Sequence, residues 1–146
     1  MTLRELTTLE DMLEQFTVLQ ELYPTLTRDA YQQHLEVMLP NNQYGQVAVF
    51  DRDCCVAVSG FWIGTKLWCG KYLEIDNLIV SQHTRSNGVG KLMVDFLIEK
   101  AQQESCTLVA LDSYTTNFKA HKFFYNRSFE PRGFHFIRVL NDQGIR

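Results

Sequence analysis

The fold is constrained most by a change of sequence period between residues 67 and 111. Residues 67–80 have the β-rich texture of a long strand, and a polar loop follows at 81–87. Apolar side chains then recur at helical spacing from 88 to 104, before a short strand pattern at 107–111. This order predicts one β-loop-α-β unit, in which the loop joins the end of a strand to the start of a helix.

The remainder of the 146-residue chain predicts an α+β fold in a single domain over residues 1–146. Thr7 and Glu10 form a capping-box signature before a helical pattern that Pro24 ends. Segments of period 2 with short turns indicate an antiparallel meander, so we expect a mixed, mostly antiparallel sheet flanked by helices. The other predicted elements are a helix at 28–39, strands at 46–50 and 54–63 with turns at 51–53 and 64–65, a helix at 117–127 and a strand at 133–140.

Composition and charge argue against several classes of partner. The net charge is −3 and no run of Lys or Arg is present, so we expect no nucleic-acid binding. No apolar stretch reaches the 18 or so residues of a membrane span, and the acidic N-terminus does not resemble a signal peptide, which predicts a cytoplasmic protein. The four cysteines lack CxxC spacing or a nearby histidine cluster, so we expect buried free thiols and no metal.

The loop before the predicted helix contains two glycines one residue apart, Gly88 and Gly90. Unpaired N–H groups in the first turn of the helix, over 87–91, are suited to hold a pyrophosphate, and Arg85 and Lys91 add positive charge. Tight packing of the turn is the alternative explanation for such a glycine pair. Neither common nucleotide motif fits, because a Rossmann fingerprint requires a third glycine where Met93 stands, and the P-loop pattern is absent.

Two motifs resemble those of the Gcn5-related N-acetyltransferase (GNAT) family. The acetyl-CoA motif [QR]-x-x-G-x-[GA] is matched by Arg85, Gly88 and Gly90, with Val80 ending a strand five residues earlier. A second signature, roughly N-x-x-A-x-x-[FL]-Y-x-x-x-G-F, is mostly matched over residues 117–129. The resemblance covers residues 46–140 and implies direct acetyl transfer from acetyl-CoA to a primary amine in a ternary complex. It also implies a sheet that splays at the acetyl-CoA-binding strand.

The resemblance implies which residues bind acetyl-CoA. The strand before the loop would pair its backbone with the pantetheine arm, and Asn117 would hydrogen-bond the cofactor. The alternatives are a plain core strand at 78–80 and a helix-capping role for Asn117. The implied acetyl-CoA contacts are Leu78, Ile79, Val80, Arg85, Ser86, Asn87, Gly88, Val89, Gly90, Lys91 and Asn117.

An amine acceptor requires a base, because an alkyl amine with a pKa of about 10.4 is protonated at neutral pH. Glu74 lies eleven residues before Arg85, the register of the general base in the histone-acetylating members of the family. We expect partial burial to raise its pKa, and we expect Asp76, on the same strand face, to bind a cationic substrate or to replace it as base. Period-2 alternation also places Leu78 and Val80 on that face. A merely solvated strand face is the alternative.

The general acid is less well matched to the family. The family tyrosine position is Phe124, and Tyr125 lies one residue later, about 100° further around a helix. We predict Tyr125 as the acid that protonates the CoA thiolate, with water or another tyrosine, such as Tyr114, as the alternative. Ser86 and Ser128 also stand where the family commonly has glycine.

Two other functions are compatible with the same motifs. One is a non-catalytic module that binds acyl-CoA for regulation, and the other is acyl transfer to a hydroxyl group. Two groups of residues favour a small cationic or aromatic amine as the acceptor. They are the acids Glu74, Asp76, Glu10, Asp11 and Glu14, the last three on the first helix, and the aromatic residues Tyr23, Tyr31, Trp62 and Trp68. The apolar predicted strand at 133–140 favours a homodimer.

Overall fold

The computed structural model describes residues 1–84 and 87–146, which divide into two compact units, 1–110 and 111–146. The single domain over 1–146 therefore stays a prediction. The described strands are β1 (Thr2–Leu6), β2 (Tyr44–Asp51), β3 (Cys54–Lys66), β4 (Gly70–Val80) and β5 (Leu108–Leu111). The described helices are α1 (Leu9–Glu14), α2 (Phe16–Leu22), α3 (Arg28–Met38), α4 (Val89–Gln103) and α5 (Phe118–Asn126), with a 3₁₀ turn at Pro40–Asn42.

The strands form one sheet in the order β1-β2-β3-β4-β5. The pairs β1–β2, β2–β3 and β3–β4 are antiparallel. Helix α4 connects β4 to β5, the kind of crossover that neighbouring parallel strands require. The predicted α+β fold with a mixed, mostly antiparallel sheet flanked by helices is confirmed.

The N-terminal part of the chain differs from its prediction in two respects. A strand, β1, precedes the helices and pairs with β2, and the predicted first helix is divided at Gln15 into α1 and α2. The N-cap is Thr8, whose hydroxyl accepts a hydrogen bond from the Asp11 N–H at 3.0 Å, so the predicted Thr7–Glu10 capping box is wrong by one residue. The turn predicted at 64–65 is also wrong, because β3 continues to Lys66 and the turn lies at 67–69.

Helices cover both faces of the sheet in the first unit. Helices α1, α2 and α3 share a buried apolar cluster with side chains of one face, including Tyr44, Ala48 and Val58. Helix α4 contacts β2, β3 and β4, and Val89, Met93 and Leu97 are buried on its apolar stripe. Burying apolar surface on both sides holds the end of β4 and the start of α4 at fixed positions.

Strand β4 contains a bulge opposite β3. Asp76 pairs with Gly60 and Ile79 pairs with Val58, so two residues of β4, Asn77 and Leu78, lie opposite the single residue between Val58 and Gly60. Asn77 has a φ of 55°, in the left-handed region that asparagine tolerates better than most side chains.

The bulge changes which residues of β4 share a face. Val80 pairs with Ala57, whereas Asp76 pairs with Gly60. Ala57 and Gly60 are three residues apart on an alternating strand, so Val80 and Asp76 lie on opposite faces. The predicted alternation is therefore correct for Glu74 and Asp76 but wrong for Val80, because one extra residue inverts the alternation beyond the bulge.

The second unit contains α5 followed by a segment without helix or strand. Residues 133–140, predicted as a strand, have no strand conformation in this described segment, so that prediction is wrong. An apolar segment becomes a strand only where another backbone pairs with it, and no described strand does so. Phe134, Phe136 and Leu140 are strongly exposed in consequence.

Candidate active site

The loop that joins β4 to α4 ends at a left-handed glycine. Gly88 is the N-cap of α4 with φ 74° and ψ 10°, and its carbonyl accepts the Leu92 N–H at 3.0 Å. A Cβ placed on Gly88 would meet no atom within 4 Å, so glycine is required here by the backbone conformation rather than by crowding. Arg85 and Ser86, both predicted acetyl-CoA contacts, lie outside the described residues.

The first turn of α4 is anchored on one side and exposed on the other. Val89 is buried in the core, whereas Asn87, Gly88 and Lys91 are exposed. The Lys91 ammonium lies 2.7 Å from the Asp95 carboxylate, an exposed pair one turn apart that stabilises by at most about 1 kcal/mol. An anion near the helix N-terminus would therefore compete with a weak partner for Lys91.

The end of β4 directs the Val80 peptide groups away from β3. Ser81 donates its N–H to the Val56 carbonyl at 2.8 Å, and Val80 pairs with Ala57. Successive residues of a strand point their N–H and C=O groups to opposite sides, so those of Val80 face away from β3. Ile79 is buried in the core, and Leu78 and Val80 are half-buried.

Glu21 of α2 holds the first residues of the loop, a role that the sequence analysis missed. Its carboxylate accepts hydrogen bonds from the Ser81 hydroxyl at 2.9 Å and from the Gln82 N–H at 3.0 Å. Nothing in the helical pattern distinguishes Glu21 from a solvated glutamate, because its partners are 60 residues away in the sequence.

Glu74 and Asp76 lie on the α1–α3 face of β4, and both are half-buried. On the neighbouring strand β3, Trp62 pairs with Glu74 and Gly60 pairs with Asp76. The Trp62 indole N–H donates to the Asp76 carboxylate at 3.0 Å. The structure therefore brings together the two acidic residues predicted as base and substrate ligand, beside one of the predicted aromatic side chains.

The other charges and rings invoked for the acceptor are placed less favourably. Asp11 is paired with the Arg4 guanidinium at 2.7 Å, and this hydrogen bond lowers the pKa of the Asp11 carboxyl. Tyr31 is buried in the core, and Trp68 is exposed at the turn between β3 and β4. The acidic strand face is thus better supported as an acceptor site than the acidic first helix.

A chain of neutral side chains crosses the α1–α3 face beside the two acids. The Gln46 amide donates to the Tyr44 hydroxyl at 3.1 Å, and the Tyr44 hydroxyl donates to the Asn77 carbonyl oxygen at 2.9 Å. The Asn77 amide then donates to the Tyr23 hydroxyl at 2.8 Å. The name Tyr44 network is used below for Gln46, Tyr44, Asn77 and Tyr23. The sequence analysis missed it, since its members come from three separate parts of the chain: β2, β4 and the C-terminal end of α2.

The second unit contains the remaining predicted site residues, Asn117 and Tyr125. The Asn117 side chain accepts the Ala120 N–H at 3.2 Å, so it caps α5. The Phe124 ring packs edge-on against Phe129 at 5.5 Å, whereas Tyr125 is 59% exposed. Ser128 has a φ of 65°, which explains why glycine is common at this position of the family motif.

Sequence comparison decides the family. The model of the acetyltransferase (GNAT) family matches residues 6–129. The chain belongs to the GNAT acetyltransferase family. It is also 26% identical to the uncharacterized N-acetyltransferase YhdJ of Bacillus subtilis over 125 residues, which cover 86% of this chain and 88% of that protein.

Solved structures of GNAT proteins share the fold. AAC(6')-Iy in complex with the bisubstrate analogue CoA-S-monomethyl-acetylneamine superposes with a TM-score of 0.82 at 17% identity, covering 94% of this chain and 97% of that one. Glucosamine-6-phosphate N-acetyltransferase from Arabidopsis thaliana gives 0.75 at 18% identity, covering 96% and 98%. As a GNAT acetyltransferase, the protein is assigned acetyl transfer with acetyl-CoA as donor.

Residues 1–84 and 87–146 contain neither a membrane-spanning helix nor a cluster of metal ligands. No helix of these ranges has the length and apolar character that a membrane crossing requires. The same residues contain no group of three or more His, Cys, Asp or Glu side chains arranged as metal ligands. The four cysteines are free, but the prediction that they are buried is wrong, because Cys54 is exposed and the others are half-buried.

Proposed function

We propose that this GNAT acetyltransferase transfers an acetyl group directly from acetyl-CoA to a primary amine within a ternary complex. The observation that carries the proposal is the position of Glu74 and Asp76, half-buried on β4, the strand that leads to the glycine loop. A carboxylate on this strand provides a base for the protonated amine, next to the expected position of the thioester.

For acetyl-CoA, we propose a site formed by the end of β4 and the start of α4. The N–H groups of the first helical turn and the positive end of the helix dipole suit a pyrophosphate. The Val80 peptide, directed away from β3, suits the pantetheine arm or the thioester carbonyl. Arg85, Ser86, Ile79 and Asn117 are carried into this proposal by the motif alone.

In the proposed reaction, Glu74 accepts a proton from the ammonium form of the substrate, directly or through water. The neutral amine attacks the thioester carbonyl, and the Val80 N–H stabilises the oxyanion of the tetrahedral intermediate. The carbon–sulfur bond then breaks as the nitrogen of the intermediate loses its second proton to water, and the CoA thiolate leaves with a proton that Tyr125 supplies and recovers from solvent.

We propose a small cationic or aromatic amine as acceptor. Two carboxylates on one strand face attract a cation, and the Trp62 ring beside them offers an aromatic surface. The bisubstrate analogue bound to AAC(6')-Iy carries an acetylneamine group, so the same fold accommodates an amine of this kind in that protein.

The proposed function is tested by thiol release from acetyl-CoA with a panel of amines. We expect release above background hydrolysis with at least one cationic or aromatic amine, and less with anionic amines. Binding of acetyl-CoA without release for any amine would instead support the non-catalytic module. Release with alcohols but not with amines would support transfer to a hydroxyl group.

Acetyl-CoA should stabilise the folded protein measurably. A ligand that binds only the native state contributes RT ln(1 + [L]/Kd), which is about 2.7 kcal/mol at a hundredfold excess over Kd. We therefore expect acetyl-CoA to raise Tm in a thermal-shift measurement, and NAD and ATP to raise it less. An equal shift with all three would contradict specific recognition of acetyl-CoA.

Replacement of Tyr125 by phenylalanine tests the general acid. If the hydroxyl protonates the thiolate, Tyr125→Phe should lower kcat while the Kd for acetyl-CoA changes little. The exposed position of Tyr125 makes loss of stability a minor concern. Tyr114→Phe, at another exposed tyrosine of the second unit, is measured beside it because Tyr114 is the alternative tyrosine acid. Wild-type kcat in Tyr125→Phe would transfer the acid role to water, or to Tyr114 if Tyr114→Phe lowers kcat.

We further propose a homodimer in the cytoplasm, where acetyl-CoA is available. The exposed apolar side chains of residues 133–140 support association with a second copy, although the strand first predicted there is not formed. A monomeric profile in sedimentation at high concentration would contradict the dimer.

A further inference from the structure

The bulge in β4 is held by side chains rather than by the strand ladder alone. Asn77 occupies the left-handed region with φ 55°, a conformation that an ordinary strand residue avoids. Its side-chain carbonyl accepts the Tyr44 hydroxyl at 2.9 Å, and its side-chain amide donates to the Tyr23 hydroxyl at 2.8 Å. Both ends of the Asn77 amide are therefore fixed by partners from other elements.

Tyr44 is itself held in one position. The ring lies against Trp62, with centroids 4.8 Å apart, and the hydroxyl accepts the Gln46 amide at 3.1 Å. Gln46 is only 1% exposed and bonds to Tyr31 as well, at 2.8 Å. Desolvation raises the pKa of the Tyr44 phenol, so the hydroxyl keeps its proton and donates it to Asn77.

Strand β3 leaves space for this contact at Gly60. Gly60 lies between Gln46 and Asp76 in the sheet, on the face where the Tyr44 network runs. A Cβ at Gly60 would lie 2.7 Å from the Asn77 carbonyl oxygen and would overlap the Tyr44 hydroxyl. The close approach of Tyr44 to Asn77 thus depends on the missing side chain.

The bulge determines the direction of the Val80 peptide. With the extra residue, Val80 pairs with Ala57, and the neighbouring Ser81 N–H donates to Val56. Without the extra residue, the pairing of β4 with β3 beyond Asp76 would move by one residue. Each N–H of β4 after Asp76 would then point to the opposite side of the strand. The Val80 N–H would then point at β3 instead of away from it.

We propose that Tyr44 is a positioning residue of the acetyl-transfer reaction, because its hydrogen bond to Asn77 holds the bulge that directs the Val80 N–H toward the thioester. This inference rests on the proposed function, which places the thioester beside Val80. Tyr44 contacts neither substrate and acts through Asn77. The members of the network are amides and phenols, which favours a fixed scaffold over a proton relay.

The first test compares two tyrosine hydroxyls that bond to the same glutamine. Tyr44→Phe removes the hydrogen bond to Asn77, so the bulge should no longer hold the Val80 N–H in place. Misplacement of this donor should lower kcat by about tenfold to a hundredfold. Tyr31→Phe removes a similarly buried hydroxyl that has no bond to Asn77, so we expect near-wild-type kcat. Both should lower Tm by a similar amount. Equal kcat values in the two folded variants would overturn the proposal.

A double-mutant cycle tests whether Tyr44 acts through Asn77. Asn77→Gly permits the positive φ but removes the side chain that Tyr44 holds. We expect the double variant Tyr44→Phe with Asn77→Gly to have the kcat of Asn77→Gly alone. Effects that multiply would show that Tyr44 acts elsewhere. If Tyr44→Phe does not fold, Gly60→Ala separates the same two side chains and should lower kcat likewise.

A measurement without turnover separates this inference from the proposed function. In the wild-type protein, the Val80 amide resonance should shift on addition of acetyl-CoA, and the shift should shrink in Tyr44→Phe but not in Tyr31→Phe. If no amine supports thiol release, the proposed function fails. The resonance shift still tests whether Tyr44 positions the Val80 N–H through the bulge. A Val80 resonance that acetyl-CoA does not move in the wild type would overturn the inference.

Discussion

Glu74→Gln should retain acetyl-CoA binding and lose most acetyl transfer at neutral pH. Removing a general base typically costs about 10²–10⁴ in rate, and we expect kcat/KM to fall within that range. The loss should shrink as the pH rises toward the amine pKa of about 10.4, because the substrate then loses its proton without help. A pH profile of kcat/KM for wild type and variant measures both effects.

Asp76→Asn is the matched comparison on the same strand face. Its carboxylate accepts the Trp62 indole N–H, and an asparagine carbonyl oxygen can keep that hydrogen bond. If Asp76 only binds the cationic acceptor, its replacement should raise KM for the amine and leave the pH profile unchanged. A small, pH-independent effect of Glu74→Gln together with a large, pH-dependent effect of Asp76→Asn would exchange the two roles.

Gly88→Glu should abolish detectable binding of CoA and acetyl-CoA. The glutamate would place a negative charge at the helix N-terminus where the pyrophosphate is expected, and it would strain a residue with φ 74°. Isothermal titration or thermal shift with acetyl-CoA measures the loss. Since nothing lies within 4 Å of a Cβ at Gly88, the variant should still fold.

Two controls separate charge and bulk from backbone strain. Gly88→Asn tolerates the left-handed conformation and carries no charge, so it should weaken binding much less than Gly88→Glu. Gly144→Glu adds the same charge at another uncrowded glycine in the second unit and should bind like wild type. Unchanged affinity in folded Gly88→Glu would remove the α4 N-terminus from the proposed cofactor site.

The elements with strong local patterns could be predicted from the sequence. Helix α4 has a clear apolar stripe and a glycine N-cap, so the sequence predicts its start to within one residue of Val89. The long strands β3 and β4 have β-branched and aromatic residues at period 2. The sequence also predicts the loop between β4 and α4 and the shared strand face of Glu74 and Asp76, because each depends on residues that are near in sequence.

The features that were missed depend on distant partners. Strand β1 is five residues long and exists through its pairing with β2, so its own sequence gives little signal. The bulge at Asn77 reflects bonds to Tyr44 and Tyr23, which are 33 and 54 residues away. At 133–140 the local pattern predicted a strand without a pairing partner, and the described chain supplies none.

The two hydrogen bonds of Glu21 couple the position of the end of α2 to the conformation of the first residues of the glycine loop. If α2 moves away, the Ser81 hydroxyl and the Gln82 N–H lose their common acceptor, so the position of the helix and the order of the loop change together. A ligand that favours one position of α2 must then alter the affinity of any ligand held by the loop. Thermodynamic reciprocity requires the loop ligand to alter the affinity of the first by the same factor.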